Sequence, residues 1–306
     1  PLGLHAQQFP TKPVNLTTPF GPGGATDLTA RMFIGKAKQY LGQPIVFHLK
    51  PGGGGVIGSE EVYKAKPDGY SLLFAHTNTN SIYPATHPDD AKTTGPEGFE
   101  PVCRINVNYG FFLAAPDAPY NTLKEMVAWA KANPGKLVFG STAAWSSNDI
   151  AWKELTAKTG MQTRVVFLTA GSQPMISILG GHVDVVRQAA AQSLAQVKAK
   201  KVKALSWSGS KRHRDMPNVP TEAGEGYPSP SSGAWKGIAA PLGTPRPVID
   251  KLAVAFKKMT DDKDARRLID KTGDEFNWLG PDEFKDYWWK DYNNFKAITK
   301  QYMVKK

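Results

Sequence analysis

The sequence predicts an α/β protein with mainly parallel sheets, arranged as two lobes with a cleft between them. Strand-like and helix-like segments alternate from residue 14 to residue 260, a pattern typical of strands joined by helical crossovers. Two separate sets of small-residue loops, near residues 20 and 141, each follow a strand-like run and precede a helix start. A chain of 306 residues is long enough for two lobes of ordinary domain size.

The first strand–turn–helix segment reads TTPFGPGGATDLTAR, residues 17–31. A short apolar run ends at Phe20, the sequence GPGG turns the chain, and Ala25 opens a helix. Backbone N–H groups at a helix start have no partner inside the helix, and the helix dipole is positive there. This turn therefore predicts an anion site that needs no charged side chain. Asp27 is either a carboxylate of the first helical turn or a pocket residue, and its charge would oppose an anion, which favours the structural role.

Composition limits the class of protein. Lys and Arg exceed Asp and Glu by 38 − 27 = 11, and 41% of the residues are hydrophobic. No apolar run approaches the roughly 20 residues that a membrane-spanning helix needs. The basic residues are scattered through helices and turns, which favours a solvated surface over a nucleic-acid-binding stripe.

The sequence predicts no metal and no cofactor. Cys103 is the single cysteine, so neither an intrachain disulfide nor a zinc set of cysteines can form. The glycine-rich stretch 51–62, PGGGGVIGSEEV, lacks both the Gly-Lys-Ser/Thr end of a Walker loop and the spacing of a dinucleotide fingerprint. Isolated histidines without metal-ligand spacing occur at positions 48, 87, 182 and 213.

Polar side chains follow strand-like runs in both predicted lobes, where open α/β sheets bind ligands. His76 and Thr77 follow one such run, and Ser141 and Thr142 follow another. His76 is either a base, a ligand contact or a polar strand-end residue, and the sequence leaves these open. Ser141 most simply caps a helix or contacts a ligand. Trp145, in the loop after it, is either the wall of a pocket or an interface residue.

Nucleophilic catalysis is the alternative function. Gly140-Ser141-Thr142 lacks the second glycine of the Gly-x-Ser-x-Gly elbow. Ser141 with His76 as its base would nevertheless define an α/β-hydrolase-like enzyme or a transferase. Turnover of a bound acid or ester would favour this alternative, and stoichiometric binding without product would eliminate it.

Seven sequence pieces occur in an order that is similar to one known family. PFGPGGATDLTAR, LGQPIVFHLKPGGGGVIGSE and KPDGYSLLFAHT are followed by NPGKLVFGST, ILGGHVDV, MPNVPTEAGEGYP and APLGTP. Over roughly residues 13–300 this set resembles the substrate-binding proteins of tripartite tricarboxylate transporters, the TctC or Bug family. The resemblance implies a type II-like periplasmic-binding-protein fold with a hinged ligand cleft, in which residues 11–110 and 235–306 form lobe 1 and residues 111–234 form lobe 2.

The resemblance also implies a function and partners. Such a protein is not an enzyme: it captures a small carboxylate and passes it to membrane permease subunits. We expect a periplasmic monomer that binds no nucleic acid. The first eight residues, PLGLHAQQ, lack the basic start and apolar core of a complete signal peptide. They are either the tail of one cleaved near Ala6 or residues added ahead of the protein.

Finally, the resemblance implies which residues bind the ligand. The carboxylate is expected at the turn formed by Gly23, Gly24, Ala25, Thr26 and Asp27. A facing loop is expected at Thr169, Ala170, Gly171 and Ser172, with further contacts from His76, Thr77, Ser141, Thr142 and Asp184. Departures from the family pattern at His76, Trp145 and Arg187 predict a ligand with an aromatic or otherwise apolar body. Arg187 or His76 would then be available to a second acidic group.

Overall fold

A computed structural model describes residues 9–23, 25–168, 173–227, 233–272, 274 and 276–303. Four of the predicted ligand-binding residues, Thr169 to Ser172, lie outside the described residues, as does Gly24. The first eight residues, considered above as the tail of a signal peptide, lie outside them as well.

Strands and helices alternate along the described chain. The strands are β1 Val14–Thr18, β2 Ile45–Leu49, β3 Ser71–His76, β4 Phe99–Ala114, β5 Val138–Ser141, β6 Arg164–Phe167, β7 Val185–Ala189, β8 Lys203–Trp207 and β9 Gly233–Pro241. The helices are α1 Ala25–Phe33, α2 Ala37–Leu41, α3 Val56–Tyr63, α4 Tyr83–Thr86, α5 Ala91–Thr94, α6 Leu123–Ala132, α7 Ser147–Thr159, α8 Gln173–Leu179, α9 Ala190–Lys198, α10 Arg246–Asp261, α11 Lys263–Asp270 and α12 Pro281–Met303. The predicted α/β class is confirmed.

The chain divides into two compact units. Unit 1 contains the described residues of 1–107, 235–271 and 275–306, and unit 2 contains those of 108–234 and 272–274. Strand β4 contributes its first part to unit 1 and its second part to unit 2.

Unit 1 is built on a mixed sheet with the strand order β2-β1-β3-β9-β4. Strand β1 pairs in parallel with both β2 and β3, and β9 runs antiparallel to β3. Helices α1 and α10 cover the sheet with an aromatic core, in which the rings of Phe74 and Phe256 each lie 6.1 Å from that of Phe33. The polar residues described below lie at the ends of β1, β3 and β9, outside this aromatic core.

Unit 2 is built on a second mixed sheet. Strands β7 and β8 both run antiparallel to β4, β5 runs parallel to β7, and β6 runs parallel to β5. One face packs through Phe139 and Trp152, whose rings stack at 4.2 Å, and the other through Phe111 and Trp207 at 4.5 Å.

Strand β4 differs from the two short strands, 102–107 and 111–115, that the sequence predicts. It runs unbroken for 16 residues, from Phe99 to Ala114. Gly110 lies within this strand, and a Cβ there would lie 2.9 Å from the carbonyl oxygen of Gln188 on β7. The glycine therefore allows a close approach of the neighbouring strand rather than a turn.

Residues 84–100 are rich in Pro, Asp, Thr and Gly, a composition that predicts a surface loop, and this prediction is wrong. The segment contains α4, α5 and two single helical turns, Pro88–Asp90 and Pro96–Gly98. One backbone carbonyl of this segment, that of Thr94, accepts a hydrogen bond from the side-chain amide of Asn80 at 2.7 Å. Proline and glycine thus end short helices here instead of marking solvent-exposed chain.

The last helix carries four aromatic residues between positions 284 and 295 whose spacing in the sequence predicts one buried helical face, and the structure confirms it. Phe284, Trp288, Tyr292 and Phe295 of α12 are each at most 2% exposed. Trp288 also donates its indole N–H to the carbonyl of Asn80 at 2.7 Å, which ties the helix to the residues after β3. The aromatic stripe is core packing, as its helical spacing predicts.

Candidate functional site

The turn after β1 is closed by the carboxylate of its own helix. Gly23 has a φ of +75°, and its N–H donates to Asp27 Oδ2 at 2.9 Å. Arg31, one turn further along α1, donates from Nε to Asp27 Oδ1 at 2.6 Å. Asp27 is 4% exposed and therefore stabilises the turn from inside. The N–H of Gly23, which the sequence predicts to be free for an anion, is already used by this internal carboxylate.

Unit 2 contains the same hydrogen-bonded turn between β5 and α7. Trp145 has a φ of +60°, and its N–H donates to Asp149 Oδ2 at 2.7 Å. Lys153 forms an ion pair with the same carboxylate from the next turn of the helix. Trp145, Asp149 and Lys153 thus correspond to Gly23, Asp27 and Arg31, with the same spacing. The sequence shows this correspondence only when the two segments are aligned on their aspartates.

Trp145 occupies a backbone conformation that favours glycine. A residue with a side chain in the left-handed region costs roughly 1–2 kcal/mol. The indole is partly exposed, and the ammonium of Lys153 lies 5.2 Å from the ring centre. Asp149 Oδ1 is buried and has no hydrogen-bond partner among the residues that the structure describes. A tryptophan therefore stands where unit 1 has a glycine, despite the conformational cost.

Ser141 lies at the end of β5 with its hydroxyl engaged. Its Oγ lies 3.2 Å from Ser146 Oγ and donates weakly to the carbonyl of Ala143 at 3.4 Å. Ser146 is the N-cap of α7 and accepts the N–H of Asp149 at 3.3 Å. Thr142, which follows, is partly exposed. The Ser141 hydroxyl thus contacts a hydroxyl and a carbonyl within the described part of unit 2.

His76 ends β3 as a neutral hydrogen-bond donor. Its Nδ1 accepts the N–H of Asn78 at 3.1 Å, which leaves Nε2 to carry the ring proton. The ring meets Phe20 of the first turn edge to face, with 5.0 Å between centres. Burial and, to a smaller extent, the positive charge of Lys236 together lower the pKa of His76 to about 3. The imidazole is therefore uncharged near neutral pH.

Lys236, which sequence reasoning missed, lies beside His76. The two residues are register partners on β9 and β3, and the lysine side chain is fully buried. Its Nζ donates to Thr29 Oγ1 on α1 at 2.9 Å. In the sequence, the lysine inside the otherwise apolar run AWKGIAAP could have indicated a buried charge. A single charged residue in a strand usually faces solvent, so this position did not stand out.

Two threonines complete the ends of these strands in unit 1. Thr77 Oγ1 accepts the N–H of Trp235 at 2.7 Å and so joins the end of β3 to β9. Thr18, the last residue of β1, is fully buried, and its hydroxyl has no hydrogen-bond partner among the described residues. Thr26, in the first turn of α1, is 5% exposed.

Asp184 and Arg187 serve the interior of unit 2. Asp184 Oδ2 accepts the N–H of Val138 at 2.7 Å, which holds the start of β5. Arg187 is 3% exposed, and its Nε lies 3.4 Å from Glu222 Oε1. Burial raises the pKa of Glu222, and the guanidinium opposes that rise. Arg187 was predicted to be available to a second acidic group of the ligand, but an internal carboxylate already occupies it.

The described residues contain no group of three or more His, Cys, Asp or Glu placed to hold a metal ion. None of the helices in the described ranges is both long enough and apolar enough to cross a membrane.

The turns after β1 and β5 are each closed by the aspartate of the helix that follows, and His76 at the end of β3 adds an uncharged donor in unit 1. Comparison with known proteins identifies the family. The chain belongs to the TctC family, the tripartite tricarboxylate transporter family receptors, whose sequence model matches residues 29–301. Members of this family are periplasmic solute-binding proteins and not enzymes. The hydrolase-like alternative based on Ser141 and His76 is therefore set aside.

Individual relatives support the same assignment. A UPF0065 protein in the gbd 5′ region of Cupriavidus necator is 32% identical and covers 98% of this chain and 90% of its own length. The structure of a periplasmic transporter is 29% identical, with a TM-score of 0.85 over 95% of this chain and 97% of its own. MatC from Rhodopseudomonas palustris, with bound malate, is 25% identical, with a TM-score of 0.80 over 95% and 99%. The predicted family and periplasmic-binding-protein fold are confirmed.

Proposed function

We propose that this chain captures a small carboxylate and delivers it to the membrane subunits of a tripartite tricarboxylate-type transporter. One observation carries the choice of ligand: His76, beside the turn that follows β1, is a neutral donor whose acceptor nitrogen is already occupied. Such a donor suits an ionised oxygen. Family membership supports a solute-binding role, and malate in MatC supports an organic acid as the solute.

In unit 1 we propose that the ligand acid contacts the first turn of α1 and His76. The N–H groups of Ala25 and Thr26 open the helix, where the dipole favours an anion. Asp27 and Thr77 act indirectly, because their oxygen atoms hold the turn and the strand ends. Gly23 supplies the left-handed backbone conformation, and Gly24 stays a contact proposed from sequence.

In unit 2 we propose that Trp145 contacts the body of the ligand. The half-exposed indole offers a flat apolar face, and its position is held through Asp149 and Lys153. Ser141 and Thr142 supply hydroxyls at the end of β5. The loop formed by Thr169, Ala170, Gly171 and Ser172 stays a proposal from the family resemblance. Asp184 and Arg187 act from within the unit, through their bonds to the strand and to Glu222.

Binding to a panel of acids tests this function. Native mass spectrometry of the purified protein should first find any ligand retained from the cell. Calorimetry should then compare malate, adipate, benzoate and phthalate with their amides. We expect at least one acid to bind at one molecule per chain and to raise the melting temperature, while its amide does neither. If no acid in the panel binds, the carboxylate assignment is wrong.

Delivery to a transporter needs a separate test. We propose that the protein acts as a periplasmic monomer that docks on permease subunits. Light scattering after gel filtration should give one chain per particle at 33.3 kDa. Cells with the permease should accumulate the labelled acid only when this protein is also present. Uptake that is equal without it would refute the transport role while leaving the binding result intact.

A further inference from the structure

Lys236 is a buried cation placed next to the proposed acid-binding turn. It pairs in register with His76, its side chain is 0% exposed, and its Nζ donates to Thr29 Oγ1 at 2.9 Å. Thr29 lies on α1, the helix that begins directly after the turn. The turn itself reaches the same place, because the ring of Phe20 lies 5.0 Å from that of His76. Within unit 1, Lys236 therefore lies beside His76 and is bonded to α1 through Thr29, while Phe20 brings the turn against His76.

A buried charge acts strongly on its surroundings. Removal of an ammonium from water is costly, and its field is screened far less by solvent and salt than that of a surface lysine. The field already acts on a neighbour here, since the positive charge of Lys236 contributes to the low pKa of His76. The same field attracts an anion held at the adjoining helix start.

The groups around this point favour an ionised oxygen over a neutral one. His76 presents an N–H donor, because its Nδ1 is taken by the N–H of Asn78. A cation with a neutral donor stabilises a carboxylate, whereas an amide of the same shape would bring its own N–H groups towards them.

We propose that Lys236 is the residue that makes this protein select the ionised form of its ligand, by attraction from beneath the turn after β1, with His76 as the neutral donor beside it. The inference rests on the proposed carboxylate function and adds a specificity-determining residue to it. Lys236 acts through its field and through Thr29, so its effect is on the acid–amide preference rather than on the shape of the site.

The experiment compares an acid with its amide in matched variants. Calorimetry at pH 7.5 should measure L-malate and adipate, each against its diamide, for the wild-type protein, K236M and the control K203M. Lys203, in unit 2, is also partly buried and donates from Nζ to a backbone carbonyl, that of Ala118, at 2.7 Å. We expect K236M to bind the acid at least 10-fold more weakly with amide binding unchanged, and K203M to match the wild type.

Three further variants test the same inference without removal of the charge. T29V removes the hydroxyl that holds Nζ, and we expect a threefold or larger loss of acid affinity. His76→Gln keeps an N–H donor and should bind the acid within about threefold of the wild type, while His76→Leu should lose about 10-fold. These variants decide the question if K236M does not fold, which thermal unfolding of each variant will show.

Each outcome has a separate meaning. Acid binding by K236M equal to that of the wild type would overturn the role of Lys236 and leave the proposed function standing. An equal loss for acid and amide would also overturn it, because it would reveal a purely structural lysine. If the wild-type protein binds neither malate nor adipate nor any other acid of the panel, the proposed function itself fails, and this inference fails with it.

Discussion

Substitution of alanine for Gly23 should destabilise the protein only through the left-handed backbone conformation at this position. Gly23 has a φ of +75°, and a Cβ added there would meet no atom within 4 Å. Steric overlap therefore contributes nothing, and the change measures only the cost of the left-handed conformation. That cost is roughly 1–2 kcal/mol for a residue with a side chain. The bond from the Gly23 N–H to Asp27 resists a rearrangement that would relieve it.

Gly21 in the same turn is the matched control. A Cβ at Gly21 would also meet nothing within 4 Å, and its φ lies outside the left-handed region. Alanine there should be neutral or stabilise by about 0.4–1 kcal/mol, because it reduces the freedom of the unfolded chain. The two substitutions thus share residue type, turn and open space, and differ in backbone conformation.

Urea unfolding followed by circular dichroism at 25 °C should measure both variants. We expect Gly23→Ala to lower the free energy of unfolding by roughly 1–2 kcal/mol, and Gly21→Ala not to lower it. A Gly23→Asn variant should lie between Gly23→Ala and the wild type, because asparagine tolerates the left-handed region better than alanine does. Equal stabilities for the two alanine variants, within about 0.3 kcal/mol, would refute the reasoning.

Three other predictions concern stability. Trp145 has a φ of +60°, so the Trp145→Gly variant should be more stable than Trp145→Ala by about 1 kcal/mol in urea unfolding. Both variants remove the indole, and only glycine relieves the backbone conformation. The reverse order of stability would contradict this reasoning. Burial raises the pKa of Asp291 to about 6, although the hydrogen bond from the indole N–H of Trp235 opposes this rise. The folded protein therefore holds this proton more tightly than the unfolded chain does. As a result, the free energy of unfolding falls as pH rises from about 4 to 6. Asp291→Asn should therefore stabilise by up to about 3 kcal/mol at pH 7.5 and little at pH 4, and a gain of equal size at both would argue against a titrating carboxyl. Glu222→Gln should cost about 3–5 kcal/mol, because it removes the negative charge beside the buried guanidinium of Arg187. Arg187→Met with Glu222→Leu should recover much of that loss in the same assay, because the double variant buries neither charge.

Much of the local structure could be predicted from the sequence. The turn at Pro22 and Gly23 and the helix start at Ala25 are present, and α7 ends at Gly160, which has a left-handed conformation. These features depend on hydrogen bonds between residues at most a few positions apart, such as the cap from Ser146 to Asp149. A pattern of glycine, serine and threonine therefore carries enough information to locate them.

The errors have a common physical cause. Gly110 looks like an interruption of a strand, and only the carbonyl of Gln188 at its side explains why a glycine is needed in the middle of β4. Arg187 looks like a free cation for a ligand, and only the fold brings Glu222 to it. In both cases the decisive contact comes from a residue far along the chain, which no local pattern records.

The sequence by itself determined the family, the α/β class and the two strand–turn–helix junctions, because ordered motifs and short-range hydrogen bonds specify them. Only the tertiary structure decided what surrounds those junctions. Asp27 and Asp149 close their own turns, and Trp145 stands in the backbone conformation of Gly23. Lys236 becomes the partner of His76 because β9 inserts antiparallel beside β3. Strand order is set by the packing of whole elements, so a buried lysine beside the proposed acid site could not be read from its own segment.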